Sequence, residues 1–245
     1  MRHSAGALSL LCVVCVTACA QDKTAVDAKP AKVRTATYVH MDHLPLLTMI
    51  PEPPAVDSAV TKSEFAELHR IQDARTAEQV REAKADDEEE DIFVYRTVLG
   101  SEFNAKTLPL TAALSAHVHG DEPVASDLLK KHFQRPRPYQ VDATIHPVCK
   151  LTDQHNAYPS GHTLSGYLLA LTLVQMVPEK GEAILERADN YAHNRLVCGV
   201  HTASDLEASR RVAYAMFASM LDDARFQRDL AAARVETRRA LHLSE

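Results

Sequence analysis

The sequence predicts an all-α protein, a helical bundle in one domain. Three observations carry this. Apolar residues recur at helical spacing along most of the chain, alternating strand-like patterns are scarce, and only 7 glycines punctuate 245 residues. The formal net charge of −6 is moderate. It gives no basis for nucleic-acid binding and argues against docking on anionic lipid.

The elements follow in chain order. In residues 1–20, a short basic start at Arg2 and His3 precedes a small apolar run, Ala5 to Ala20. The run is too short and too poorly flanked to span a membrane, but it fits a secretory signal. Ala18-Cys19-Ala20 fits a cleavage site before Gln21. Val16-Thr17-Ala18-Cys19 also resembles a bacterial lipobox, which would make Cys19 a lipidated first residue; this second form is preferred, because a cysteine there is otherwise an odd choice. Either way the protein is expected to be exported, as a periplasmic protein or an outer-membrane-anchored lipoprotein. Loss of Arg2 takes the net charge from −6 to −7.

Residues 21–43 read as a polar tether and 44–245 as the folded domain, long enough for a real core. Leu44 to Pro54 is apolar and proline-rich, and is expected to lie extended on the body. Residues 62–84 read as one amphipathic helix through Phe65, Leu68, Ile71, Ala74 and Val80. The run Asp86 to Asp91 reads as a solvated acidic face or loop. Residues 92–116 suggest one or two further helices. His117-Val118-His119-Gly120-Asp121 reads as a turn before the helix that carries Lys130. A metal site there lacks its remaining ligands at any recognisable spacing.

The chemistry-bearing residues lie in three later stretches. The first is Lys130-Lys131-His132-Phe133-Gln134-Arg135-Pro136-Arg137-Pro138. The prolines end the helix and extend its exit, so the Lys130 ammonium and the Arg137 guanidinium can aim at one anion. The second is Tyr158-Pro159-Ser160-Gly161-His162-Thr163, ahead of a buried helix with Leu164, Leu168, Leu169 and Leu173. Pro159 suits a first helical position, Gly161 permits close approach of a ligand, Ser160 adds a hydroxyl, and the helix start favours an anion. The third runs from Asn194-Arg195 to His201-Thr202-Ala203-Ser204-Asp205, on helices expected over 180–197 and 204–221. Gly199 is expected to end one helix and His201 to begin the next, which sets His201 and Asp205 one turn apart on one face. Asp205 then accepts from Nδ1 and leaves Nε2 free as a nucleophile. A charged amphipathic helix from Asp222 to Leu243 closes the chain.

Together these stretches resemble the phosphatidic acid phosphatase type 2 / vanadium haloperoxidase superfamily. The signature Lys-x6-Arg-Pro, Pro-Ser-Gly-His, Ser-Arg-x5-His-x3-Asp is met by Lys130, Arg137-Pro138, residues 159–162, Arg195, His201 and Asp205. Within it the chain most resembles the bacterial class A non-specific acid phosphatases, from about Leu44 onward. Asn194 departs, standing where the family has serine.

The resemblance implies the helical fold of those enzymes and hydrolysis of small phosphate monoesters. Lys130, Arg137 and Arg195 would clamp the phosphoryl group, with Ser160 and the Gly161 N–H as donors. His201 would attack, oriented by Asp205, and His162 would protonate the leaving group. No metal or other cofactor is expected, and vanadate is expected to inhibit as a phosphate mimic. Similar acid phosphatases form homo-oligomers. Of the five cysteines, Cys12 and Cys15 leave with the signal and Cys19 is lost or lipidated. Cys149 and Cys198 remain, as one disulfide in an oxidising compartment or as two buried thiols; cysteines at corresponding places in similar acid phosphatases favour the disulfide. The rival functions are a lipid phosphate or diphosphate phosphatase, a vanadate-dependent haloperoxidase, and a non-catalytic phosphate-binding lipoprotein.

Overall fold

The computed structural model describes Met1 and residues 34–244. The signal, the lipobox with Cys19 and most of the tether lie outside the described residues. Those residues are helical and contain no strand. Seven long helices make the body: α1 (Ala59–Ala74), α2 (Ala77–Glu88), α3 (Pro109–Phe133), α4 (Gly161–Met176), α5 (Gly181–Val197), α6 (Ala203–Leu221) and α7 (Ala224–Ala240). Short helical turns lie between them.

Helix α4 is the axis of the bundle. It is apolar on all sides, burying Leu164, Leu168, Leu169, Ala170 and Leu173, as a helix enclosed by others must. Helices α3, α5, α6 and α7 pack around it. A second, smaller apolar cluster of Ile71, Ala83, Val197, Cys198 and Val200 joins α1 and α2 to the end of α5. None of the described helices is long and apolar enough to cross a membrane.

Local chemistry sets the helix ends. The single helix expected over 62–84 is two. Arg75 is extended at φ −62° and ψ 130°. Thr76 then restarts the chain with a capping box, its hydroxyl on the Gln79 N–H and the Gln79 amide on its own N–H. Arg75 is held out of the helix by the Val197 and His146 carbonyls, at 2.8 and 2.7 Å.

Helix α3 starts at Pro109, as a proline at the first helical position allows. The Glu236 carboxylate on α7 accepts the Leu110 and Thr111 N–H groups. The helix runs unbroken for 25 residues, so the turn expected at 117–121 is helix interior. Its side chains diverge: His117 meets the Tyr38 hydroxyl and His119 the Ser165 hydroxyl, each at 2.9 Å.

Asp121 is buried and accepts the backbone N–H groups of Thr37, Tyr38 and Val39. Tyr38 and Val39 are themselves core residues, so the tether read as reaching residue 43 ends before Thr37. Residues 44–54, expected to be extended, contain one helical turn, Leu46–Met49, and another, Met41–His43, lies just before them where a tether was expected.

Asp121 therefore pins the described N-terminal segment to the bundle. Asp121→Ala leaves three backbone donors without that acceptor. It is expected to cost roughly 3 kcal/mol, read as a lowered midpoint in urea unfolding.

Candidate functional site

The three sequence stretches meet at one end of α4. Helix α3 ends at Gln134, which caps it in the left-handed region at φ 46°, just past Lys130. The chain then leaves through Pro136 and Pro138, with Arg137 extended between them. Ser160, not Pro159, sits at the edge of α4: it is the cap residue, and its Oγ accepts the Thr163 N–H at 3.4 Å. Gly161 and His162 are the first helical residues, whose N–H groups have no intrahelical acceptor. A Cβ on Gly161 would lie 2.9 Å from Glu122 Oε1 and 3.1 Å from Lys130 Nζ, so only glycine lets both approach the helix start.

His201 and Asp205 do meet, but not as two turns of one helix. Helix α6 begins at Ala203 with Thr202 as its cap, and Gly199 makes the turn before it at φ 72°. Asp205 is the third helical residue and folds back, one oxygen accepting the Thr202 N–H at 2.8 Å. The same oxygen lies 3.2 Å from His201 Nδ1.

Arg137 Nη1 lies 2.7 Å from His201 Nε2. A guanidinium can only donate, so Nε2 accepts and Nδ1 carries the hydrogen that Asp205 receives. The ring is held neutral: burial and then Arg137, Arg195 and Lys130 keep its pKa well below the usual value. His162 is also held down, to about 3, by burial and by Arg195. Its Nε2 lies 3.2 Å from the Asp87 carbonyl and 3.4 Å from Glu90. A carbonyl only accepts, so in this ring it is Nε2 that carries the hydrogen.

Arg195 is 3% exposed and bonds Asp87 through Nη1 at 2.6 Å. Its Nε is buried with no partner among the described residues. Burial lowers the pKa of Lys130 and of Arg137. Cys149 and Cys198 are bonded, with Cα atoms 5.2 Å apart, and tie the loop before Tyr158 to the turn before His201. Asp87 lies against the two sulfurs, but bonded sulfurs offer a metal no thiolate.

Sequence reasoning missed four contributors. Arg135 is buried and bonds Asp205 Oδ1 at 2.6 Å, Ser204 Oγ at 2.6 Å and Thr202 Oγ1 at 3.0 Å. Its other end meets Glu64 of α1 at 3.2 Å, and Glu64 accepts the Ser204 N–H. Burial raises the Asp205 pKa to about 6, with Arg135 opposing the rise.

The acidic run is not a solvated face. Asp86 is buried and bonds Arg187 and Asn194, while Asp87 bonds Arg195. Asn194 thus directs its amide to Asp86, at 2.8 Å, and not to the anion site. The available signal was the arginine count on the facing helix, since buried guanidiniums need carboxylates.

A neutral, carboxylate-oriented histidine thus faces fixed cations at a helix N-terminus, a geometry suited to an oxyanion. The family model of the PAP2 superfamily matches residues 107–228, and the chain belongs to that superfamily. It is 37% identical over 116 residues to an acid phosphatase of Zymomonas mobilis, covering 45% of this chain and 43% of that one. A non-specific acid phosphatase of Salmonella typhimurium is 32% identical over 151 residues, 58% of this chain and 59% of that one. The alignments thus span about half the length of these relatives. The solved transmembrane PAP2-type phosphatidylglycerolphosphate phosphatase of Bacillus subtilis superposes with a TM-score of 0.52 at 17% identity, covering 72% of this chain and 90% of that one. That likeness concerns the fold.

The depressed histidine has a consequence for stability. In the unfolded chain His162 takes a proton as pH falls below about 6.5, while the folded ring refuses it down to about 3. The unfolded state binds more protons in that window, so this residue lowers stability on acidification. His162→Gln is expected to lose less stability than the parent between pH 7 and 5, by up to about 2 kcal/mol in urea unfolding.

Proposed function

We propose that this chain is an exported acid phosphatase that hydrolyses phosphate monoesters through a phosphohistidine intermediate, without a metal. The observation that carries the reading is the state of His201, neutral, with Nδ1 on Asp205 and Nε2 turned to Arg137. The similarity to proteins named acid phosphatase supports the same reading.

In the first step the phosphoryl oxygens draw Arg137 away from Nε2 and engage Lys130, Arg195, Ser160 and the N–H of Gly161. The Arg195 Nε and the free Ser160 hydrogen are suited to this, being donors without an acceptor among the described residues. The Nε2 lone pair forms a bond to phosphorus as the ester P–O bond breaks. The departing oxygen takes a proton from His162, and Asp205 balances the charge on the His201 ring. In the second step His162 takes a proton from water, the water oxygen bonds phosphorus, and the N–P bond breaks. Phosphate leaves and both histidines return to their first state. Phosphoryl transfer needs positioning and charge stabilisation above all, which fixed cations supply. Burial and Arg195 hold the His162 pKa near 3, and a bound phosphate dianion opposes both. Protonation of His162 therefore increases as pH falls, while Asp205, raised to about 6, loses the charge that balances His201, so activity is expected to be highest on the acid side of neutral and to fall at lower pH.

The test is hydrolysis of para-nitrophenyl phosphate across acid to neutral pH, with a chelator present and with and without orthovanadate. Turnover that resists chelator and is blocked by vanadate supports the proposal. His201→Ala is expected to abolish it, and a fully active variant would sink the scheme. Lys130→Ala or Arg195→Ala should lower kcat on the order of 10²–10³-fold.

A further inference from the structure

Two carboxylates beside the anion site are not used by the proposed chemistry. Glu90 Oε1 lies 3.4 Å from His162 Nε2, and its side chain is 38% exposed. It stands at the rim, beside the group assigned to the departing oxygen. Glu122 is only 7% exposed, and its Oε1 has no hydrogen-bond partner among the described residues. It borders the same cradle, against Gly161 and near Lys130 Nζ. A buried carboxylate oxygen without a donor is costly, and a ligand that brings one relieves that cost.

Of the nearby cations, Lys130 feels the charge of both Glu122 and Glu90, and it is assigned to the phosphoryl group rather than to a leaving group. Arg195 is engaged by Asp87, Arg135 by Asp205 and Glu64, and Arg137 by His201 and Asn156. Lys130 and Arg137 face the phosphoryl group itself. Next to Lys130 a cavity of about 550 Å³ opens, where Lys131 is accompanied by Asp127 and Asp153. An alcohol carrying a second anion therefore meets Glu90 without a spare cation. One carrying an ammonium meets Glu90 as a counter-charge and Glu122 as an acceptor.

We infer that Glu90 and Glu122 set the substrate class of this site. Phosphomonoesters of small alcohols with a positive charge near the ester oxygen are favoured, and esters whose alcohol carries a second anion are rejected. The inference rests on the phosphatase reading and adds a preference to it. Burial raises the Glu90 pKa, with Glu122 and Asp87 adding to the rise and His119 and Arg195 opposing it, so the comparison belongs at neutral pH.

The experiment uses three esters of matched length: O-phosphoethanolamine, 2-hydroxyethyl phosphate and 2-phosphoglycolate. Their kcat/KM values are measured with the parent, Glu90→Gln and Glu122→Gln, at low and high salt. The parent is expected to favour the ammonium ester over the carboxylate ester by on the order of 10-fold or more, and salt should compress the ratio. Either variant should reduce that ratio several-fold, with the neutral ester as internal reference for folding and turnover. Should Glu122→Gln fail to fold, the rim residue Glu90 carries the test. Equal turnover of the three esters by the parent overturns the inference and leaves the phosphatase reading standing. A ratio unchanged in both variants overturns the assignment to these residues. Loss of turnover on all three esters in the parent, at acid as well as neutral pH, overturns the phosphatase reading, and the inference with it.

Discussion

Lys130, Arg135, Arg137 and Arg195 converge at one end of an apolar bundle, and their mutual repulsion is the constraint the surrounding structure answers. Two of them, Arg135 and Arg195, are more than nine-tenths buried. Guanidiniums there are tolerable only with carboxylates in good geometry. The answers come largely from α1 and α2, through Glu64 on Arg135 and Asp87 on Arg195, while Asp86 beside them holds Arg187. These helices have little apolar surface of their own to bury. Their place is fixed by a small cluster around Ile71 and Ala83, by Arg75 on the carbonyls of the facing segments, and by these charge pairs. The family match begins at residue 107, so the counter-charges of α1 and α2 lie outside it.

That division explains what was legible in the sequence. Lys130, Arg137, Ser160, Gly161, His162, Arg195, His201 and Asp205 were readable because prolines and glycines place each at a helix end. A helix end is where a side chain and free backbone donors can face one anion together. The His201–Asp205 pair was identified for an incomplete reason. Spacing of four implies one helix face, yet the contact runs from before the cap to the third helical residue, through the same oxygen that takes the Thr202 N–H.

Arg135 was passed over as one more charge on a basic exit, and nothing near Glu64 distinguishes it from other exposed-looking helix glutamates. A run such as Asp86 to Asp91 has one appearance in sequence whether it faces water or guanidiniums. Only the three-dimensional placement of Arg187 and Arg195 separates the two cases. The same limit applies to His117, His119 and Asp121. Their closeness in sequence suggested one unit, but helical geometry sends them to Tyr38, Ser165 and the backbone of 37–39. The break at Arg75 was hidden because apolar periodicity continues across it, while the capping box at Thr76 and Gln79 was the overlooked mark.

The two site histidines show how one electrostatic environment serves two roles in the proposed cycle. Both are pushed toward the neutral form by burial and by the same cations. For His201 this is useful, since a nucleophile needs its lone pair, and Asp205 waits at Nδ1 for the charge that forms on attack. For His162 it is an obstacle, because an acid must hold a proton. The surroundings differ in the sense required. His201 is 2% exposed and sealed against Arg137, whereas the His162 side chain is 20% exposed and has a carbonyl and a glutamate at Nε2. Both of those partners favour its protonated form, and so does a phosphate dianion. Binding the anion thus changes the two rings in opposite directions. It draws Arg137 off one and frees its lone pair, and it supplies the other with the negative charge that holds a proton.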